Sequence, residues 1–261
     1  MATVKQLQQD AAKRRRSMRM ALGVGAVVFV MLVVLAVMTA SAFHSNAAKA
    51  SGANGGAGST PTASAPPQPT AAPARWVTLP GNAGWASSTF PTFWPQTAQG
   101  AAAMVAASAR YGWTLDQSQD VQAAQLYSAA SAQQTSMTGA DQIPGQLMTA
   151  LGITAASPPA GLAITATPVG VSWTAASSTA VQVSLLVRLN ASATGANTTA
   201  ETLEAITTDV VWTPMPGQPN GGDWKMILSS GKLPTPPAAD IGTAAFNADG
   251  WTAIENTGGA Q

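Results

Sequence analysis

The sequence predicts an α+β protein: one N-terminal transmembrane helix, a disordered linker, then three helices packed on a curved four-stranded antiparallel sheet. Three observations carry this. An uncharged apolar run occupies residues 20–43. Between Thr97 and Leu151 apolar residues recur at helical spacing behind recognisable caps. From Gly161 onward the pattern changes to alternation with a period of two.

The apolar run comes first. At about 1.5 Å rise per residue, about 20 apolar residues cross a ~30 Å hydrocarbon core. In lipid such a helix satisfies its own backbone hydrogen bonds. Lys13, Arg14, Arg15, Arg16 and Arg19 precede the run, and only Lys49 and Arg75 occur in the long stretch after it. By the positive-inside bias, Arg14, Arg15, Arg16 and Arg19 orient the chain with its N-terminus cytoplasmic. The predicted localisation is the cell membrane, single-pass, with the C-terminal domain extracytoplasmic. Ala40-Ser41-Ala42 resembles a signal-peptide cleavage site. The run is longer than a signal core of about 7–15 residues, so an uncleaved anchor is expected.

The predicted layout is a basic tail at 1–19, the transmembrane helix at 20–43 and an Ala/Ser/Gly/Pro-rich linker at 44–75. An exported α+β domain at 76–232 follows, then a tail at 233–261 with room for a short helix. The linker cannot bury enough apolar surface to offset its ordering entropy. All eight Trp lie after Arg75, which places the core there. Between Trp76 and Gln261 four cations (Arg110, Arg188, Lys225, Lys232) face ten carboxylates, a net charge of −6. Without clustered Lys or Arg, direct nucleic-acid binding is not expected. The chain has no Cys, which excludes disulfides and thiolate sites.

Within the domain, Trp76, Trp85, Phe90, Phe93 and Trp94 are spaced by Pro and Gly and read as an irregular aromatic flap wrapping the core, with a ligand platform as the alternative. The spacing predicts a helix over 97–111 stopping at Gly112. A second follows a capping box at Thr114, and a third covers 142–151 with Pro144 in its first turn. In the first strand Leu162, Ile164 and Ala166 keep one register, and Val169, Val171 and Trp173 the other. The switch at Thr167-Pro168 predicts a β-bulge. Val181, Val183, Leu185, Val187 and Leu189 define the buried face of the second strand. Ile206, Thr208, Val210 and Trp212 alternate in a third, and Trp224, Met226 and Leu228 in a fourth, joined by a loop over 213–222.

This register makes Val183, Leu185, Val187, Val210, Trp212 and Trp224 the concave core face. Arg188 and Asp209 fall on the outer face as the candidate partner surface. Lys225 is expected to matter little to folding, and Glu201 and Glu204 to sit in a solvated turn. No catalytic residue is assigned. The only His, His44, lies at the membrane boundary, and no two carboxylates face each other across a pocket. No metal or cofactor is expected, because the acidic residues are scattered.

Three stretches resemble a known family: residues 95–102 with Thr97, Gly100, Ala101 and Ala102, the strand 181–189, and Gly222-Asp223-Trp224 before the last strand. On these the chain is similar to the single-pass assembly components of type IV secretion systems, and most to conjugal transfer proteins of actinobacterial mobile elements. The resemblance implies a cystatin-like, nuclear-transport-factor-two-like cone. It implies a non-catalytic, membrane-anchored scaffold of a conjugative DNA-transfer apparatus, with the cytoplasmic membrane, other secretion or conjugation subunits and further copies of itself as partners. The alternative is an exported small-molecule or lipid-binding accessory protein, such as one serving a lipid-import system.

Overall fold

Three long strands carry the domain; short strands extend their sheet at its edges, and helices cover its faces. The computed structural model describes residues 71–155, 157–193 and 196–255. Its elements in chain order are β1 (Trp76–Val77), β2 (Gly84–Ala86), β3 (Phe90–Thr92), α1 (Ala98–Gly112), α2 (Gln117–Tyr127), α3 (Gln133–Ala140) and α4 (Ile143–Ala150). Then follow β4 (Leu162–Ser177), β5 (Ala180–Ala193), β6 (Ala196–Pro214), β7 (Gly222–Ile227), α5 (Ala244–Ala248) and β8 (Thr252–Ile254).

The architecture is α+β, but the expected four-stranded antiparallel cone with three helices is not what forms. The main sheet has six strands in the order β1-β8-β4-β5-β6-β7, with β2 and β3 in a separate hairpin, and the described residues hold five α-helices. The sheet is mixed because β8 pairs antiparallel with β4 at Gly170 and Val171 and parallel with β1 at Trp76 and Val77. Strands of two or three residues carry no period-two pattern, so only tertiary pairing reveals them.

The long strands follow their alternation. β4 changes register between Pro168 and Gly170, so Ala166 and Val171 share the face that Val169 leaves. Pro168 has no N–H to give to a ladder, which suits a bulge. The first two helices start at side-chain caps. Thr97 accepts from Gly100 N at 3.0 Å to open α1. The alanines of α1 let it lie close on the sheet, burying Ala101, Ala102, Met104, Val105 and Ala109. The second helix begins later than expected. Asp116, not Thr114, caps it by accepting from Ser118 N and Gln119 N, while Thr114 donates to Asp120. α3 has neither a side-chain cap nor a clear apolar stripe, and it was absent from the expected set.

The C-terminal segment, read as a tail with room for a short helix, holds α5 and packs on the sheet. Phe246 and Trp251 are buried with Val169, Leu186, Ala205 and Ala239 in a second, smaller core on the outer face of the sheet. Trp251 Nε1 donates to Pro237 O at 2.8 Å, which fixes the segment against the strands.

Two readings of polar residues also change. Lys225 is buried, its Nζ 3.0 Å from Asp223 Oδ2 and 2.8 Å from Leu126 O. Glu201 and Glu204 lie inside β6, not in a turn.

The run at 20–43 and Arg14, Arg15, Arg16 and Arg19 lie outside the described residues. Among the described residues no helix is long and apolar enough to cross a membrane. The expected single-pass membrane localisation therefore has no support from the structure.

Candidate binding cleft

The concave-face residues assemble as the alternation requires, but into a packed core. Val183, Leu185, Val187, Val210 and Trp224 are buried in the same cluster as the α1 side chains, with Trp212 partly buried against them. Trp212 and Trp224 meet edge-to-face with centroids 5.5 Å apart, and Trp224 Nε1 donates to Pro95 O at 2.9 Å. Helix α1 fills the space that a ligand pocket would need.

Arg188 and Asp209 lie on the outer face but are not brought together. Arg188 sits opposite Leu203 and Asp209 opposite Gln182. Six residues of β5 separate those rows, about 20 Å at about 3.4 Å per residue. Arg188 instead approaches Glu201, Nε to Oε1 at 3.2 Å, in ion-pair rather than aligned hydrogen-bond geometry. Asp209 accepts from Gln182 Nε2 at 3.2 Å and Ser229 Oγ at 2.7 Å. Between the two rows, the C-terminal segment already covers Leu186 and Ala205. The outer face is thus partly occupied by the chain itself.

An open site lies on the other side of α1, and the aromatic flap builds it. Phe90 meets Tyr127 edge-to-face at 6.4 Å, Trp94 tilts against Tyr127 at 6.0 Å, and Tyr127 Oη donates to Pro91 O at 3.1 Å. Phe93 adopts a left-handed backbone, φ 62°, a conformation that costs a bulky residue about 1–3 kcal/mol. It is held there by Asn220 Nδ2 and Ala83 N, both donating to Phe93 O. That turn sends Trp94 into the core, while Trp85, paired opposite Pro91, stays 56% exposed.

The result is a cleft of about 220 Å³ between the flap and α1. Leu79, Pro80, Pro91 and the Ala106–Ala107 face of α1 give it apolar walls, and Ile254 and Glu255 close the end beside β1. Trp85, Arg110 and Tyr111 also line it. The indole N–H of Trp85, the Arg110 guanidinium and the Tyr111 hydroxyl have no acceptor among the described residues. Glu255 by contrast is engaged by the Thr78 hydroxyl. The site can therefore hold an apolar chain and donate hydrogen bonds to its carbonyls.

None of the cleft residues was a sequence-predicted site residue. Trp85, Pro80 and Pro91 belong to the flap read as core wrapping, and their Trp/Pro density was the available signal. Arg110 and Tyr111 carried none, because only the packing of the flap on α1 brings them to the rim.

Two buried carboxyls lie elsewhere. Asp120 Oδ1 accepts from Thr114 N at 3.0 Å and Thr114 Oγ1 at 2.8 Å, while Oδ2 has no partner; burial pushes its pKa up to about 6. Glu204 shares the concave-side face of β6 with Ile206 and Val210, opposite Val187, and burial pushes it up to about 7. They have no hydrogen-bonding partner in common and do not form an acid–base pair. Among the described residues no group of three or more His, Cys, Asp and Glu could hold a metal ion. Comparison with protein-family models, with curated proteins and with solved structures finds no match for this chain.

Proposed function

We propose that this chain is a non-catalytic scaffold whose α+β domain grips a partner protein through the cleft beside α1. The setting suggested by its sequence motifs is a conjugative DNA-transfer apparatus. The observation that carries the reading is the cleft: apolar walls, exposed Trp85, and the donors of Arg110 and Tyr111, which have no acceptors among the described residues. At about 220 Å³ it falls below the about 300–1,000 Å³ of sites that enclose a small molecule, and it suits a strip of polypeptide. A ligand in the concave face, as the lipid-binding alternative requires, would have to displace α1 from a closed core. The conjugative setting rests on the sequence motifs alone, because the six-stranded sheet departs from the cone that the resemblance implied.

The test is complementation of a deletion strain with the full-length chain, scoring transfer to recipient cells and recovery of co-purifying proteins. Trp85→Ala and Arg110→Glu should lower both while melting temperature and abundance stay at wild-type values. Wild-type transfer and partner recovery with both variants would sink the proposal.

A further inference from the structure

We propose that the open edge of β6, residues 201–207, takes an extended segment of a partner protein as an added strand, with a Lys or Arg of that segment facing Glu204. This is a second contact surface, on the β7 side of the sheet, whereas the cleft lies at its β1 end.

The pairing of β6 leaves that edge open. Trp212 N donates to Thr179 O at 2.8 Å, and the pairing with β5 runs without a break from Val211 to Thr199. Backbone groups of successive strand residues point to opposite sides, so the even-numbered residues of β6 bond β5 and the odd-numbered ones point away. β7 takes up Thr213, Val211 and Asp209 and stops at Ile227, opposite Asp209. There Ser229 Oγ donates to Asp209 Oδ2 at 2.7 Å, and the chain turns onto the outer face, where Thr207 Oγ1 donates to Pro234 O at 3.3 Å. The amides and carbonyls of Glu201, Leu203, Ala205 and Thr207 are left without a backbone partner among the described residues. Seven residues at about 3.4 Å make about 24 Å of edge, room for a strand of ordinary length.

Other edges of the sheet carry devices that prevent strand addition. The N-terminal half of β4 ends in Pro168 and its bulge. β7 is bridged by the α2–α3 connection, with Ala129 N donating to Met226 O at 2.8 Å. Residues 201–207 hold no Pro, Lys or Arg and no bulge. Their one such device is the inward charge of Glu204, and it selects the occupant.

Glu204 is buried on the concave side with no hydrogen-bond or ion-pair partner among the described residues, while Glu201 has Arg188. The fully enclosed side-chain atoms without partners are on Thr92, Asp120, Ser128 and Arg188, so the Glu204 carboxyl keeps a path to the surface. A residue of an added strand directly opposite Glu204 forms a non-hydrogen-bonded pair with it, Cα atoms about 4.5 Å apart and side chains on the same face. An apolar residue there leaves the carboxylate unpaired, an acidic one repels it, and a Lys or Arg pairs it. A second copy of β6 centred on this position would set Glu204 against Glu204, so charge favours a basic partner strand over a copy of this one. In such strand addition the main-chain bonds supply affinity and the alternate side chains supply specificity.

The experiment is a calorimetric titration of the full-length chain at pH 8 with the synthetic peptide Thr-Val-Thr-Lys-Thr-Val-Thr. Centred on Glu204, the peptide sets its Lys beside the carboxylate and its Thr backbones on the free amides and carbonyls. It should bind at least about tenfold more tightly than the same peptide with Glu in place of Lys, and Glu204→Gln should erase that difference. N-methylation of its third and fifth residues, which face β6, should weaken binding about tenfold, while N-methylation of the second and sixth, which face away, should leave it unchanged. Equal effects of the two methylation patterns would overturn the proposal by showing that no ladder forms. No binding of the Lys peptide would overturn it by showing that the edge is closed to strands, and an undiminished preference for Lys in Glu204→Gln would remove the pairing on which it rests. Trp85→Ala should leave every affinity unchanged; loss of binding in that variant would place the peptide in the cleft instead. A full-length dimer that the Lys peptide dissociates would overturn the proposal in favour of a second copy on the edge.

Discussion

Glu204 should make this protein less stable as the pH rises from 5 to 8, and replacing it with Gln should remove most of that loss. The carboxyl lies on the concave-side face of β6, in the row of Val187, and has no hydrogen-bond or ion-pair partner among the described residues. Burial raises its pKa from 4.5 to about 7. The folded chain therefore keeps a proton that the unfolded chain gives up near pH 4.5, and the neutral acid is the form that the fold tolerates. Stability is fully present below the unfolded value and falls as pH climbs through the folded one. At about 1.4 kcal/mol per unit, the shift amounts to roughly 3 kcal/mol by pH 8. Asp120, raised to about 6, adds a loss of the same sign over a lower window, about pH 4 to 6. The assay is urea unfolding of the full-length chain and of Glu204→Gln at pH 5, 6, 7 and 8, followed by Trp fluorescence. Gln cannot ionise, so its advantage over wild type should be small at pH 5 and should grow by about 2–3 kcal/mol by pH 8. For a domain of this size that growth corresponds to roughly 4–12 °C in melting temperature. Parallel stability curves for the two proteins across this range would show that Glu204 is solvated, and the placement of its row would be wrong.

Other substitutions test the packing. Lys225→Ala leaves the buried Asp223 carboxylate without its cation and should cost about 3–5 kcal/mol in urea unfolding, whereas Asp223→Asn with Lys225→Met, which keeps an acceptor for Trp94 N and Trp224 N, should recover most of it. Trp224→Ala removes the centre of the concave core together with its bond to Pro95 O, and should lower stability by about 3–5 kcal/mol; an unchanged melting temperature would place the indole outside the core. Gly100→Ala sets a Cβ 2.0 Å from Pro95 O, and because the obstacle is backbone, the start of α1 must shift at a cost of about 1–3 kcal/mol or more by thermal melting. Ala205→Leu overfills the contact with Phe246 and Trp251 and should cost about 1–3 kcal/mol, a folding defect rather than a surface one.

Much of the framework is determined by the sequence itself. The alternation in β5 alone assigns Val183, Leu185 and Val187 to one face and Arg188 to the other, because a strand has only two faces. The bulge after Pro168 follows from a change of apolar register at a residue that cannot donate to a ladder. Thr97 before an Ala-rich run starts α1, and the Pro- and Gly-rich stretch before Gly222 joins β6 to β7. These are local rules, and they act whatever the rest of the chain does. The tertiary structure decided what lies on top of those faces. β1 and β8 are too short to carry a pattern and exist only because each completes the other's hydrogen bonds beside β4. Asp209 and Arg188 share the outer face, yet the C-terminal segment lies between their rows, since Phe246 and Trp251 bury more apolar surface there than in water. Lys225 sits where alternation points to solvent, and Glu204 keeps the inward register of Ile206 and Val210 although its charge suggested a solvated turn; both are enclosed by neighbours distant in sequence. The cleft arises in the same way: Arg110 and Tyr111 end one helix, Trp85 sits in a hairpin, and Ile254 comes from the far end of the chain. Whether a polar or aromatic side chain is covered depends on what packs against it, and that is a property of the assembled fold.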